Sequence, residues 1–104
     1  MEEDFIRERI TQLRMLKGVS EYDMSYSLGH NKGYINNIVS GKSLPSCSEL
    51  LNICGYFEIT PSQFFEPELK NPALVQRAVE ELLKLRDEDI ALLIDVMKRF
   101  PAKD

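Results

Sequence analysis

Apolar residues along this chain recur at intervals of three and four, the spacing that lines one face of a helix. Ile6, Ile10, Leu13 and Lys17 set that spacing first, and Phe5, Leu16 and Val19 widen the stripe. Gly18 is placed to stop this helix. Ser20 then caps a second, with Asp23 three residues on in a capping-box-like relation, and Gly29 ends it after Leu28. Asn31 is the predicted N-cap of a third helix over about 31–40. Its inner edge is Ile35, Ile38 and Val39, and Gly41 closes it. The loop Leu44-Pro45-Ser46 leads into a fourth helix with the stripe Leu50, Leu51, Ile53, Cys54 and Phe57. Thr60-Pro61-Ser62-Gln63 is a helix start: Thr as cap, Pro at the first helical position, Gln at the capping-box position. Phe64 and Phe65 follow at once, so a short fifth helix should tuck two aromatics into a core.

Two prolines mark residues 67–72 as a hinge. Asn71-Pro72 restarts a helix through Leu74, Val75, Val79, Leu82 and Leu83. The run Arg86-Asp87-Glu88-Asp89 interrupts it, with Asp87 as the expected cap of a final helix reaching Phe100. That helix carries two apolar stripes: Ile90, Leu93, Ile94 and Met97 on one, Leu92, Val96 and Phe100 on another. Packing on one side of a small domain needs only one stripe. The second predicts either a dimer interface at Leu92, Val96 and Phe100, or a helix from Asn71 to Leu85 that wraps back and covers both. No stretch alternates long enough to predict a strand. The expectation is an all-α protein: five helices in residues 1–66, a linker at 67–72, and a helical pair at 73–104.

Composition narrows the function classes. Of 104 residues, 43% are hydrophobic and 29% charged, which excludes a disordered chain. The net charge of −4 excludes a whole-surface attraction to nucleic acid or anionic lipid, so any such binding must be local. The longest uninterrupted apolar run is Ile90 to Ile94, against roughly 20 residues for a membrane span. The acidic start, Glu2-Glu3-Asp4, does not resemble a secretory leader, and a cytoplasmic setting is expected. Cys47 and Cys54, seven apart on one helix, are too distant to pair. Cys54, among apolar neighbours, reads as a small core residue. His30 is the only histidine, so neither a metal site, a cofactor nor a catalytic base with its supports is expected; it reads as a solvated turn residue. The acidic pairs read as solvated faces.

Charge distribution is more informative than its sum. No acidic residue lies between Asp23 and Glu49, in a chain otherwise rich in them. That window holds Lys32 and Lys42 with Asn31, Asn36, Asn37, Ser40 and Ser43. A surface that approaches phosphates must shed carboxylates. With Ile35, Ile38 and Val39 inward, the third helix turns Lys32, Gly33, Asn36, Asn37 and Ser40 outward. Two short helices joined at a tight turn form the helix-turn-helix pattern.

Residues 5–65 resemble the phage-repressor (Xre/Cro-type) helix-turn-helix family. The resemblance is carried by Ile10-Thr-Gln-Leu-Arg14, Lys17-Gly-Val-Ser20, Leu28-Gly29, Tyr34-Ile35-Asn-Asn-Ile38, Ser40-Gly41-Lys42, Pro45-Ser46 and Ile59-Thr-Pro-Ser-Gln-Phe-Phe65, all in the family's register. It implies a five-helix lambda-repressor-like domain whose third helix lies in the major groove of double-stranded DNA. On that resemblance Lys32, Gly33 and Asn37 are base readers; Lys suits guanine acceptors and Asn the adenine edge. Backbone or flanking contacts fall to Ser20, Asn31, Tyr34, Asn36, Ser40, Lys42 and Ser43. Tyr34 has two open placements, along the sugar-phosphate wall or against a neighbouring helix.

Three positions depart from the family's pattern. Gly33 supplies no side chain to read a base and costs roughly 1 kcal/mol of helix propensity relative to Ala. Glu21 stands where the family usually has Gln, and a carboxylate there should repel phosphate unless a nearby lysine pairs with it. Val39 stands where Glu often pairs with the first-helix Arg, leaving Arg14 to solvent or another acid. The function these features predict is a sequence-specific transcriptional regulator, a repressor that acts by occupying a palindromic operator as a homodimer. The alternative is an antitoxin-like or regulator-partner module that keeps the fold for protein interaction, which Glu21, Val39 and the net charge favour.

Overall fold

The computed structural model describes residues 2–103. Met1 and Asp104, the outermost residues of the two predicted segments, lie outside the described residues. Seven helices follow in order: α1 (Glu3–Lys17), α2 (Glu21–Ser27), α3 (Tyr34–Val39), α4 (Cys47–Tyr56), α5 (Pro61–Phe64), α6 (Pro72–Leu82) and α7 (Asp87–Met97). No strand occurs among the described residues, so the protein is all-α. None of its helices is long and apolar enough to cross a membrane. The chain divides into two compact units, with the boundary inside α6 between Ala73 and Leu74.

The first unit is built on one apolar cluster. Ile10 and Leu13 of α1, Met24 of α2, Ile35 and Ile38 of α3, Ile53 and Cys54 of α4, and Phe57, Ile59 and Phe64 are all buried. Each helix contributes most of the stripe its spacing dictates, and Lys17 at the end of the first is exposed. Leu16 and Leu51, read as stripe members, are 53% and 59% exposed, because they lie at the outer edges of stripes already filled. Phe5 stacks on Phe65, their ring centroids 6.1 Å apart, and closes the cluster at α5.

Caps fix where the helices start and stop. Ser20 accepts from the Asp23 N–H, Ser46 and Glu49 form a reciprocal capping box on α4, and Thr60 and Gln63 form another on α5. Gly41, at φ 92°, takes the left-handed turn after α3 and lets the Lys42 N–H reach the Asn37 carbonyl at 2.9 Å. Glu58 occupies the same left-handed region after α4, at φ 59°, without glycine's freedom.

Arg9 supplies a tie that the apolar pattern conceals. It is 2% exposed. Its Nε donates to the Phe64 carbonyl at 2.7 Å and its Nη2 to the Gln63 carbonyl at 2.8 Å. A cation thus satisfies the last carbonyls of α5, where the helix dipole is negative. Burial lowers the Arg9 pKa, and Glu66 acts in the opposite direction.

Several boundaries differ from the sequence reading. α3 starts at Tyr34, not near Asn31, and its N-cap is Gly33. Asn31 instead closes a tight turn, its side chain accepting from the Gly33 N–H at 3.0 Å. Arg86, not Asp87, is the N-cap of α7; Asp87 opens the first turn, where its charge faces the positive helix end. α7 ends at Met97, so Phe100 lies in a turn beyond it.

The second unit contrasts with the first. No residue of α7 is buried. Leu92, Met97 and Phe100 are 63%, 60% and 68% exposed, and Leu93, Ile94 and Val96 are exposed too. The covering of both stripes by the preceding helix does not occur.

Candidate nucleic-acid interface

α3 has only six residues, too few to be stable alone. Its placement is therefore set by its neighbours. Ile35 and Ile38 are wholly buried and anchor its inner face. Ser25 of α2, also wholly buried, donates its hydroxyl to the Glu21 carbonyl at 2.8 Å and accepts from the Ile35 N–H at 3.0 Å. That second bond satisfies one of the four N–H groups that a helix start leaves without partners. From α1, Arg7 Nε donates to the Ile38 carbonyl at 2.9 Å, at the other end of α3. α3 is thus tied at both ends, by a serine from α2 and an arginine from α1. Neither residue stood out in the sequence. The detectable signal was a small polar residue, Ser25, beside Met24 on the buried side of α2.

With the inner face fixed, Asn36, Asn37 and Ser40 are exposed, as are Lys32, Lys42 and Ser43 on the flanking turns. These six share the α3 region without an acidic residue among them. Asn37 holds the turn after α3 through its carbonyl, which accepts from both the Lys42 and the Ser43 N–H groups. Gly33 is half-buried and offers no side chain. Ser20 is exposed, but its hydroxyl is engaged in capping α2. Asn31 is likewise engaged in its own turn.

Three expectations are corrected by the geometry. Glu21 is held not by a lysine but by Asn36, whose amide Nδ2 donates to its Oε1 at 3.2 Å. Lysines at 32 and 42 flank α3 at its two ends, whereas Asn36 lies on the α3 turn facing the start of α2. Arg14 turns neither to solvent nor to an acid; its Nη1 donates to the Val19 carbonyl at 2.8 Å, since the chain turns back over it at Gly18. His30 is not a plain solvated residue. Its ring stacks on Tyr34 with centroids 3.7 Å apart and an interplanar angle of 6°, and its Nε2 lies 3.7 Å from Glu49 Oε2.

That stacking settles the placement of Tyr34. Its hydroxyl is buried beside the Glu49 carboxylate. Burial first, then the Glu49 charge, pushes its pKa up to about 12. Glu49 is held below the usual carboxylate range, chiefly by the Ser46 N–H it accepts from. Tyr34 therefore packs toward α4 and sits behind the exposed face. Among the described residues no group of His, Cys, Asp and Glu is arranged to hold a metal ion. Cys47 and Cys54 are both free thiols on α4; Cys54 is buried, and burial pushes its pKa up. Compared with family models, curated proteins and solved structures, the chain matches none.

Proposed function

We propose that residues 2–73 form a lambda-repressor-like, Xre/Cro-type helix-turn-helix domain, and that the protein binds double-stranded DNA in a sequence-specific way through α3. The observation that carries this reading is the outer face of α3 and its flanking turns. It is exposed, contributes no acid of its own between Asp23 and Glu49, is rich in amides and hydroxyls, and is bracketed by Lys32 and Lys42, in a chain of net charge −4; Glu21 of α2 is the carboxylate at its border. A protein with that overall charge gains little from phosphate unless its approach surface is locally cleared of carboxylates. Lys32 and Asn37 carry base recognition in this reading, and Gly33 lets the backbone come close. Lys42, Ser43 and Ser40 position the helix against phosphates. Two copies then read two half-sites, and occupancy of an operator represses transcription.

Glu21 favours a second reading, a protein-interaction module that keeps this fold, because its carboxylate borders the same face through Asn36. Selection of random duplexes with the full chain separates the two. An enriched, palindromic site is the expected result. No enrichment at low salt, where electrostatic attraction is strongest, leaves the interaction module.

A further inference from the structure

α7 carries three acids at its start and two basic residues just past its end, with Asp95 inside its last turn. Asp87, Glu88 and Asp89 fill its first turn; Lys98 and Arg99 follow its last. Between them Leu92 and Val96 lie on one face, one helical turn apart and both exposed, and Phe100 stands exposed just beyond the helix. Arg86 engages Glu88 and Asp89 within the chain at 3.6 and 3.3 Å. One arginine against three acids leaves that end negative. Neither Lys98 nor Arg99 forms an ion pair among the described residues, and the two outnumber Asp95, so the other end has a net positive charge.

We propose that α7 pairs antiparallel with α7 of a second copy, which deepens the homodimer of the proposed function and rests on that part of it alone. A two-fold contact brings the same patch together from both chains. About an axis near Ile94, Leu92 of each copy meets Val96 of the other. Glu88 and Asp89 then meet the partner copy's Arg99, and Phe100 covers the end of the seam. A parallel pairing would set the three acids of each copy against the same three, and like charges brought together across an interface are costly. Large apolar side chains exposed along one seam need a cover. A second α7 supplies both the apolar face and the opposite charges, whereas a purely apolar partner would leave the ends unmatched.

The test uses the full chain with Cys47→Ser, so that its exposed thiol does not cross-link. Glu88→Cys and Arg99→Cys chains are oxidised with glutathione disulfide, each alone and as a mixture, after circular dichroism has shown both to be helical. The expected result is a linked dimer of one chain of each kind in the mixture, with little linkage in either chain alone. Self-linkage of each chain without the mixed product means parallel pairing and overturns the proposal. No linkage at all, together with a solution mass staying near 12.0 kDa, overturns it as well. In the reducing form, Arg99→Glu should weaken association by about tenfold, and adding Glu88→Lys should restore it. Loss without rescue contradicts the pairing. Enrichment of DNA sites by the wild-type chain is a separate readout, so failure here leaves the DNA reading standing, and the reverse.

Discussion

The two units of this chain use the same apolar spacing and reach opposite ends. In residues 2–73 the stripes of five helices converge, and Ile10, Met24, Ile35, Ile38 and Phe64 lose all contact with solvent. In residues 74–103 an equally regular stripe stays largely open, and no residue of α7 is buried. Periodicity reports that a face seeks cover; it does not report whether the cover lies in the same chain. Ties other than the stripes make the difference in the first unit. Arg9 joins α1 to α5, Arg7 joins α1 to α3, and Ser25 joins α2 to α3. Each is a polar side chain that satisfies a helix end and fixes an angle between helices. At the start of α7, Glu88 and Asp89 pair only with the nearby Arg86 among the described residues, so they tie α7 to no other helix.

Substitutions sharpen this contrast. Phe64→Ala should cost about 3–5 kcal/mol, since it empties the centre of a filled core. Leu92→Ala, measured below the concentration at which copies associate, should cost less than about 0.5 kcal/mol. Chemical denaturation of both variants checks the pair; equal losses would mean that the second unit has a core of its own. Ser25→Ala should cost about 1–3 kcal/mol, because the Ile35 N–H loses its partner in a dry place. The same measurement applies, and a neutral result would show that the α2–α3 tie is not what fixes α3.

Much of the first unit was legible in the sequence, and the reason is local. Ser20, Thr60, Pro61, Gly29 and Gly41 act on backbone within three or four residues, so their types reveal their roles. The all-α class and the helix order followed from them. What was not legible depends on residues far apart in the chain. Arg9 reaches Phe64 across 55 positions and Arg7 reaches Ile38 across 31; nothing near either arginine in the sequence names those partners. The candidate face shows the same division. The exposure of Lys32, Asn37 and Lys42 followed from the burial of Ile35 and Ile38. The Glu21–Asn36 bond and the turn of Tyr34 toward Glu49 required the packing of α2 and α4 against α3. The start of α3 was misplaced because Asn31 favours a cap and an isolated turn almost equally, and here its side chain closes the turn.

Two smaller effects probe the edges of the packed unit. Glu58→Gly should raise stability by about 1 kcal/mol, because the left-handed backbone after α4 costs a side-chain-bearing residue that much; a thermal melt checks it, and a fall in the midpoint would mean that the Glu58 side chain makes an offsetting contact. Tyr34→Phe should change stability by less than about 1 kcal/mol at neutral pH, since relief of the hydroxyl's burial and loss of its interaction with Glu49 oppose each other. Its clearer signature is alkaline. A tyrosine whose folded pKa stands near 12, above its ordinary 10.0, contributes stability that is complete below pH 10 and is lost as pH rises toward 12. The phenolate absorbance of the wild type should show a component near 12 that is missing from Tyr34→Phe. If that component persists, the burial of Tyr34 is contradicted.

The DNA reading of α3 is tested most directly by duplex binding of the wild type and a Lys32/Asn37/Lys42→Ala variant, on a selected site, across a salt series. Lys42 accounts for about one unit of the salt slope, and Asn37 for about 1–3 kcal/mol of base discrimination. The variant should therefore bind more weakly, discriminate less between selected and scrambled sites, and depend less on salt, while its helical content is unchanged. Equal affinity, discrimination and salt slope in the two proteins would contradict the assignment of DNA binding to this face.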